Sequence, residues 1–357
     1  MEKQLIRLQS AIPHLLAWYR SVRRPLPFRE APTPYRVWVS EVMLQQTRIE
    51  AALPYFERFM QALPTVADLA NAEEETLLKL WEGLGYYSRV RNLQKAAQQI
   101  CAQYGGELPA DYDKLLALPG IGEYTAGAIA SISFGLPVPA VDGNVLRVFA
   151  RLLNTDADVM KPAVRRQMTA WVRAVLPPES GLFNEAVMEL GETICLPNTE
   201  PRCALCPLAA VCAAKAAGTA AELPTRAKPK ERRIEDKTVV CVLTAEQPPR
   251  VWLRKRPDSG LLAGLWEFPS LEGKLTPAEA ATALGLCPLS AESLTAAKHL
   301  FSHIEWRMQG VCLTVAPFLA PDGSVLVTAE EQREHYALPG AFAKFTKEMQ
   351  KRMEADQ

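Results

Sequence analysis

No apolar run in this 357-residue chain approaches the ~20 residues needed to cross a bilayer, which points to a soluble protein without a membrane partner. Excess charge is also missing. Lys plus Arg and Asp plus Glu number 40 each, so net charge gives no hint of a polyanionic partner, and any face for nucleic acid must come from local clustering. The opening Met1-Glu2-Lys3-Gln4-Leu5-Ile6-Arg7 lacks an apolar core ahead of a small-residue cleavage site. Secretion is not expected. The location expected is cytoplasmic and intracellular, at the nucleoid if the source is bacterial. There is no internal repeat and no low-complexity block beyond the alanines around Cys212. Disulfides are not expected either: Cys101, Cys241, Cys287 and Cys312 are scattered, and such cysteines in a cytosolic chain are usually buried small hydrophobes.

What is present suits about two domains of globular composition, 48% hydrophobic and 22% charged. Residues 1–222 carry apolar positions at helical spacing, broken by Pro and Gly turns, and predict an all-α domain. Residues 223–236 are rich in Pro and basic side chains and read as a linker, either a solvated tether or a phosphate-facing arm. Residues 237–357 change texture. Runs such as Thr238-Val239-Val240-Cys241-Val242-Leu243, Arg250-Val251-Trp252-Leu253-Arg254 and Gly310-Val311-Cys312-Leu313-Thr314-Val315 predict strands, with helices over 276–284 and 341–353. The second domain is therefore expected to be α+β.

The strongest single signal is a group of four cysteines in 195–212. Seven residues separate Cys195 from Cys203, two separate Cys203 from Cys206, and five separate Cys206 from Cys212. Such a group suits one metal centre. Zinc usually takes two ligand pairs about 12 to 20 residues apart, so the compact spacing leans toward an iron-sulfur cluster.

Leu118-Pro119-Gly120-Ile121-Gly122-Glu123-Tyr124 reads as a tight glycine turn between helices. Gly120 and Gly122 are expected to take positive φ and approach a ligand closely, with the next helix start aimed at an anion such as a DNA phosphate. An ordinary helix-helix turn is the plainer alternative. Glu41 lies in Val37-Trp38-Val39-Ser40-Glu41-Val42-Met43-Leu44-Gln45-Gln46-Thr47, a helix that Thr33-Pro34 starts and whose apolar residues cover nearly every face. No Lys or Arg stands three or four residues away, so burial should raise its pKa, as a general acid requires. Asp142, ahead of Gly143-Asn144-Val145-Leu146-Arg147, reads as an N-cap held ionised by its helix start. Two unequal carboxyls of this kind are what cleaves a glycosidic bond.

Glu41-Val42-Met43-Leu44-Gln45-Gln46-Thr47, Gly83-Leu84-Gly85-Tyr86-Tyr87-Ser88-Arg89, Leu118-Pro119-Gly120-Ile121-Gly122, Val141-Asp142-Gly143-Asn144 and the cysteine group together resemble the adenine DNA glycosylase family, among the helix-hairpin-helix glycosylases. The resemblance spans most of the first ~215 residues in order. It implies an all-α fold of two lobes with a 4Fe-4S cluster held by Cys195, Cys203, Cys206 and Cys212. It also implies excision of adenine opposite 8-oxoguanine or guanine in double-stranded DNA, by a monomer.

Residue by residue, the resemblance makes Glu41 the acid that protonates adenine N7 and Asp142 the carboxylate that stabilises the oxocarbenium-like sugar. Asn144, Tyr124 and Glu185 match supporting positions. Gln46 and Tyr86 resemble residues that wedge into the base stack, needed because the target atoms are unreachable inside a duplex. Arg29 resembles a base contact, although Phe28 stands where the family usually has Trp. Related glycosylases that nick the strand have a Lys where Tyr124 stands, so a monofunctional enzyme is implied. The C-terminal part resembles the family's Nudix-like recognition domain, with Gly264-Leu265-Trp266-Glu267-Phe268-Pro269 as its clearest piece and Phe301-Ser302-His303 matching the loop that reads 8-oxoguanine. Helix 276–284 supplies one acid where a Nudix hydrolase needs several for Mg²⁺, so pyrophosphatase activity is not expected. The first cysteine gap is seven residues where the family typically has six.

Three rivals remain open at this point. They are a glycosylase of the same fold with another target such as mismatched thymine, a lesion binder without catalysis, and a Nudix-type pyrophosphatase tethered to a DNA domain.

Overall fold

The computed structural model describes residues 2–225 and 231–355. Residues 226–230, the basic middle of the expected linker, lie outside them. Contacts divide the chain into one unit of Met1–Asn71 with Asn92–Lys228 and a second of Ala72–Arg91 with Pro229–Gln357. This differs from a single cut near residue 222. The Glu74–Leu80 helix and the turn after it pack with the C-terminal part: Lys79 Nζ donates to the Gln332 carbonyl at 3.2 Å, Glu82 Oε1 accepts from the Leu338 amide at 2.7 Å, and Arg91 Nη2 donates to the Ala263 carbonyl at 2.9 Å.

The described part of the first unit is helical. In the Pro34–Leu44 helix, Pro34 sits at the start and the Thr33 hydroxyl accepts from the Arg36 amide, a cap that contributes about 1 kcal/mol. Its residues from Val37 to Met43 are all buried, because apolar side chains occupy every face of the cylinder. A core of Leu15, Tyr19, Val148, Phe149, Val172 and Phe183 joins the Glu2–Val22, Gly143–Leu153, Pro162–Val175 and Ser180–Thr193 helices. The Gly143–Leu153 and Ser180–Thr193 helices come close enough at Gly191 that a Cβ there would lie 2.6 Å from Asn144 Cβ. Glycine is what permits the approach.

The glycine turn joins the Tyr112–Leu116 and Glu123–Ala128 helices, and the latter continues into a π-turn over Ile129–Ser133. Gly120 takes a φ of +74, and a Cβ there would meet Asn92 Cβ at 2.6 Å. Gly122 departs from expectation. Its φ of −91 and ψ of 177 are ordinary extended backbone, because it caps the next helix and leaves the left-handed step to Gly120.

The second unit is built on a seven-stranded sheet: β1 (Arg233–Thr244), β2 (Val251–Lys255), β3 (Trp266–Glu267), β4 (Ser270–Glu272), β5 (Pro288–Leu300), β6 (Ile304–Val315) and β7 (Ser324–Val327). The order is β3-β2-β1-β6-β5, with β4 on β1 and β7 on β2, and among the described residues only β1 and β6 run parallel. Alternation sorts β1 between two cores. Val239, Cys241 and Leu243 face Phe345, Met349 and Met353 of the Ala343–Ala355 helix, while Val240 and Val242 face Ala280 and Ala281 of the Pro277–Ala283 helix. β1 already starts at Arg233, inside the stretch read as linker, and β5 is a long strand that the sequence did not announce. No helix of the described residues is long and apolar enough to cross a membrane.

Candidate active site

Glu41 is 9% exposed, and the neighbouring turns of its helix offer it no cation. Burial raises its carboxyl pKa to about 7, with the Asp142 and Glu185 charges pushing the same way. Opposing them are the Arg29 guanidinium and the Tyr124 hydroxyl, which donates to Oε2 of Glu41. Tyr124 stands at the second position of the Glu123–Ala128 helix, so the glycine turn is what aims its ring at Glu41. Burial and the two carboxylates hold the phenol well above its usual pKa, so it remains a donor; its oxygen also lies 3.1 Å from Met188 Sδ.

Asp142 caps the Gly143–Leu153 helix as the sequence predicts. Its Oδ1 accepts from the Val145 amide at 2.8 Å and its Oδ2 from Asn144 Nδ2 at 2.8 Å. A helix start alone would depress its pKa, which is the basis for expecting it ionised. The direction is the opposite: burial raises it, against the pull of the cap bonds, Asn144 and the Arg147 charge. The two carboxyls still differ in kind, since Asp142 accepts from the Val145 and Asn144 nitrogens while the bond to Glu41 comes from a phenol.

Glu41, Tyr124, Asp142 and Asn144 line one cavity of about 1510 Å³ in the first unit, together with Phe28, Arg29, Gln46, Gly122 and Met188. That volume leaves room for a nucleotide. Glu185 does not line it. It is buried behind the wall, with its Oε2 3.4 Å from Arg23 Nη2 and its Oε1 3.8 Å from Arg29 Nε. Arg29 is tied more closely to Glu189, at 2.9 Å, and its Nη1 is buried without a hydrogen-bond partner among the described residues. Sequence reasoning missed Glu189, Met188, Arg147 and Arg24, whose Nε lies 2.7 Å from Glu189 Oε1. A signal existed for the first: Glu185, Glu189 and Glu192 recur at helical spacing on an otherwise apolar helix and call for cations.

Arg147 extends the site inward. It donates from Nη2 to Asn144 Oδ1 and to the Gly191 carbonyl, both at 2.7 Å, and from Nε to the Cys195 carbonyl at 2.8 Å. One turn on, Arg151 Nη1 donates to Cys195 Sγ at 3.1 Å and to the Leu196 carbonyl at 3.0 Å. One helix thus holds Asp142 at its start and the first cysteine along its side.

Cys195, Cys203, Cys206 and Cys212 are free thiols, half-buried and near enough that the charges of the other three raise the Cys206 pKa after burial does, to about 11. Thiolates crowded this way need positive charge among them. Among the described residues no three His, Cys, Asp or Glu side chains come together as ligands of a single ion would. A lone zinc draws its thiolates to within about 2.3 Å of one point, whereas a four-iron cluster holds them around a larger body. Four thiols within electrostatic reach of one another are a donor set that such a cluster can use. The seven-residue gap forms a loop closed by the Arg202 amide on the Ile194 carbonyl at 2.9 Å, and Asn198 takes up the turn with a φ of 56.

The remaining sequence candidates belong to the second unit, apart from Gly120 in the glycine turn. Ser302 and His303 are exposed at the tip of the β5–β6 hairpin, which the Phe301 amide closes on the Ile304 carbonyl at 2.8 Å. Phe301 packs edge-on against His299 and Trp306. Tyr86, 51% exposed, brings its hydroxyl to 3.5 Å from Ser302 Oγ. Gln46 and Tyr86 are both non-glycine residues at positive φ, 61 and 48. Glu279, the one acid of the Pro277–Ala283 helix, is engaged in a capping box with Thr276.

Residues 39–174 match the family model described as HhH-GPD superfamily base excision DNA repair protein, and residues 239–348 match the NUDIX domain model. The chain is 37% identical to the adenine DNA glycosylase of Mus musculus, over 89% of this chain and 74% of that protein. It is 36% identical to the adenine DNA glycosylase of Homo sapiens, over 89% and 70%. Among solved structures, a thermostable thymine-DNA glycosylase superposes with a TM-score of 0.53 at 23% identity, over 59% of this chain and 97% of that one, a likeness of fold.

Proposed function

The chain belongs to the adenine DNA glycosylases, helix-hairpin-helix enzymes of base excision repair with a Nudix-like second domain, and from that premise we propose that it removes adenine opposite 8-oxoguanine or guanine by hydrolysis, leaving an abasic site. The observation that carries the proposal is the pairing of Glu41 with Tyr124 beside Asp142 on one cavity wall. A carboxyl whose pKa is about 7 keeps a large fraction of its proton at neutral pH, which an exposed glutamate does not.

The extruded adenine enters the cavity and takes the Glu41 proton on N7. The C1′–N9 bond then breaks, with its electron pair leaving on the base. Asp142, fixed by the Val145 amide and Asn144, faces the positive charge developing on the sugar. Water adds at C1′ and gives up a proton to the Glu41 carboxylate, which the first step left unprotonated. Tyr124 orients the Glu41 carboxyl, and Arg29 lines the cavity that receives the base, with Glu185 behind it. A phenol in place of an amine forms no Schiff base, so the strand stays uncut.

Gln46 and Tyr86 are proposed as wedges that fill the gap left by the flipped nucleotide. Gly120 and Gly122 are proposed to meet phosphates of the duplex through their backbone. Phe301, Ser302 and His303 are proposed to read the 8-oxoguanine, with Ser302 and His303 as the polar contacts. Cys195, Cys203, Cys206 and Cys212 would hold a 4Fe-4S cluster, which supplies a cross-link among the segments that carry them. The protein is proposed to act as an intracellular monomer.

The test is a glycosylase assay on duplexes carrying A opposite 8-oxoguanine, A opposite G, and T opposite G. Adenine release from the first two and no thymine release from the third is the expected outcome. Release of thymine alone would replace the reading with that of a mismatch enzyme of the same fold.

A further inference from the structure

The cavity beside Glu41 has a second wall that the reaction above does not use. The Pro162–Val175 helix turns Met168, Val172 and Val175 into the core, which fixes its orientation. The side left over includes Arg165, Arg166, Thr169 and Arg173, and all four line the cavity. Arg48, two residues past Gln46, lines it too. The helix carries no Asp or Glu.

These arginines differ from others of the same unit. Arg20, Arg23, Arg24 and Arg29 are each ion-paired to a glutamate. Arg48, Arg165, Arg166 and Arg173 are exposed, and among the described residues none of them forms an ion pair. The four share the cavity lining with Glu41, Glu123, Asp142 and Glu192 but form no ion pair with them, so their charge is open to an anion from outside. Arg165, Thr169 and Arg173 recur every four residues, so they form one stripe about 12 Å long at 1.5 Å of rise per residue. One strand of a duplex presents a phosphate about every 3.4 Å of helix axis. The stripe therefore matches the length of three to four phosphates.

We propose that this side of the Pro162–Val175 helix is a docking rail for the sugar-phosphate backbone of double-stranded DNA, next to the nucleotide whose base enters the cavity. Arg165, Arg166 and Arg173 supply charge, and Thr169 supplies a hydroxyl between them. The inference rests on the glycosylase reading for its ligand. The rail contacts phosphate only, so it adds affinity to any duplex and discriminates no base.

The experiment compares the full chain with the triple variant Arg165→Gln, Arg166→Gln, Arg173→Gln, in binding to an undamaged duplex and to one with A opposite 8-oxoguanine, across a salt series. Three lost phosphate contacts should flatten the slope of log K against log salt by about 2 to 3, at about 0.9 per contact. Both duplexes should weaken alike, by tenfold or more at low salt. Adenine release at limiting enzyme should fall with affinity and recover as enzyme is raised. The triple Lys variant should keep the slope, since a phosphate contact needs charge above shape. An unchanged slope in the Gln variant overturns the proposal. So does an equal flattening by Arg20→Gln, which would make the effect one of overall charge. If the Gln variant flattens the slope while the parent releases no adenine, the glycosylase reading fails and the rail stands; if the parent releases adenine while the Gln variant binds unaltered, the rail alone fails.

Discussion

The Tyr124 hydroxyl donates to Oε2 of Glu41, joining the helix after the glycine turn to the buried Pro34–Leu44 helix. The bond lowers the Glu41 pKa while burial raises it, and the balance falls at about 7. A carboxyl tuned in this way both gives a proton near neutrality and stays oriented while doing so.

Base release should therefore decline as pH rises through about 7, because Glu41 then loses the proton it must donate. Single-turnover rates from pH 5 to 9, on A paired with 8-oxoguanine, measure this limb. A limb absent below pH 9 would remove Glu41 as the acid.

Glu41→Gln should keep DNA binding and lose adenine release by about 10² to 10⁴, the usual contribution of a general acid. Stability should move the other way. A carboxyl whose folded pKa lies above its unfolded value binds the proton more tightly when folded, so its ionisation destabilises the protein as pH rises from about 4.5 through about 7. Relative to the parent, the Gln variant should gain up to about 3 kcal/mol above pH 8, at 1.36 kcal/mol per pKa unit, and nothing comparable at pH 4. Chemical denaturation at the two pH values checks the sign.

Asn144→Ala removes the Nδ2 bond to Asp142 Oδ2 and leaves Arg147 Nη2 one partner short. Release should slow by about 10- to 100-fold with little change in DNA affinity, since in the proposed mechanism the bond orients the carboxyl that faces the sugar. A large loss of affinity with an intact rate at saturation would mean that Asn144 serves binding.

Ser302→Ala with His303→Ala should narrow the preference for 8-oxoguanine over guanine as the partner of adenine, leaving release from A paired with guanine nearly unaltered. The two exposed side chains sit at a hairpin tip whose backbone closure does not involve them, so the fold should survive. Equal rate ratios before and after would take the hairpin out of the recognition argument.

Replacing Cys212 with Ser should abolish the visible absorption that iron-thiolate ligation gives, together with iron content, and lower thermal stability. Full iron content in that variant would remove Cys212 from the ligand set.

Much of the site was legible because local rules fix it. A helix with apolar residues on every face has nowhere to put a glutamate except inside, and Thr33-Pro34 and Asp142 carry their capping roles in their identities. The features that escaped depend on what the fold brings from elsewhere. Asp142 rises in pKa because tertiary packing dries a helix start, and Arg29 meets Glu189 across 160 positions of sequence. β5 was silent because its burial is mostly exposed, so no apolar alternation marks it. Segment 72–91 reads as more of the helical domain, and only long-range bonds such as Glu82 to Leu338 give it to the other unit.

Gln46 and Tyr86 hold left-handed backbone without being glycine, a posture that costs on the order of 1 to 3 kcal/mol each. The fold bears that tension before any substrate arrives. If the two side chains wedge into a duplex as proposed, both are already set, and the energy of association need not be diverted into bending the chain at these points. Glycine at either position would relax the backbone and remove the side chain in one change, so that substitution tests the angle and the proposed contact together.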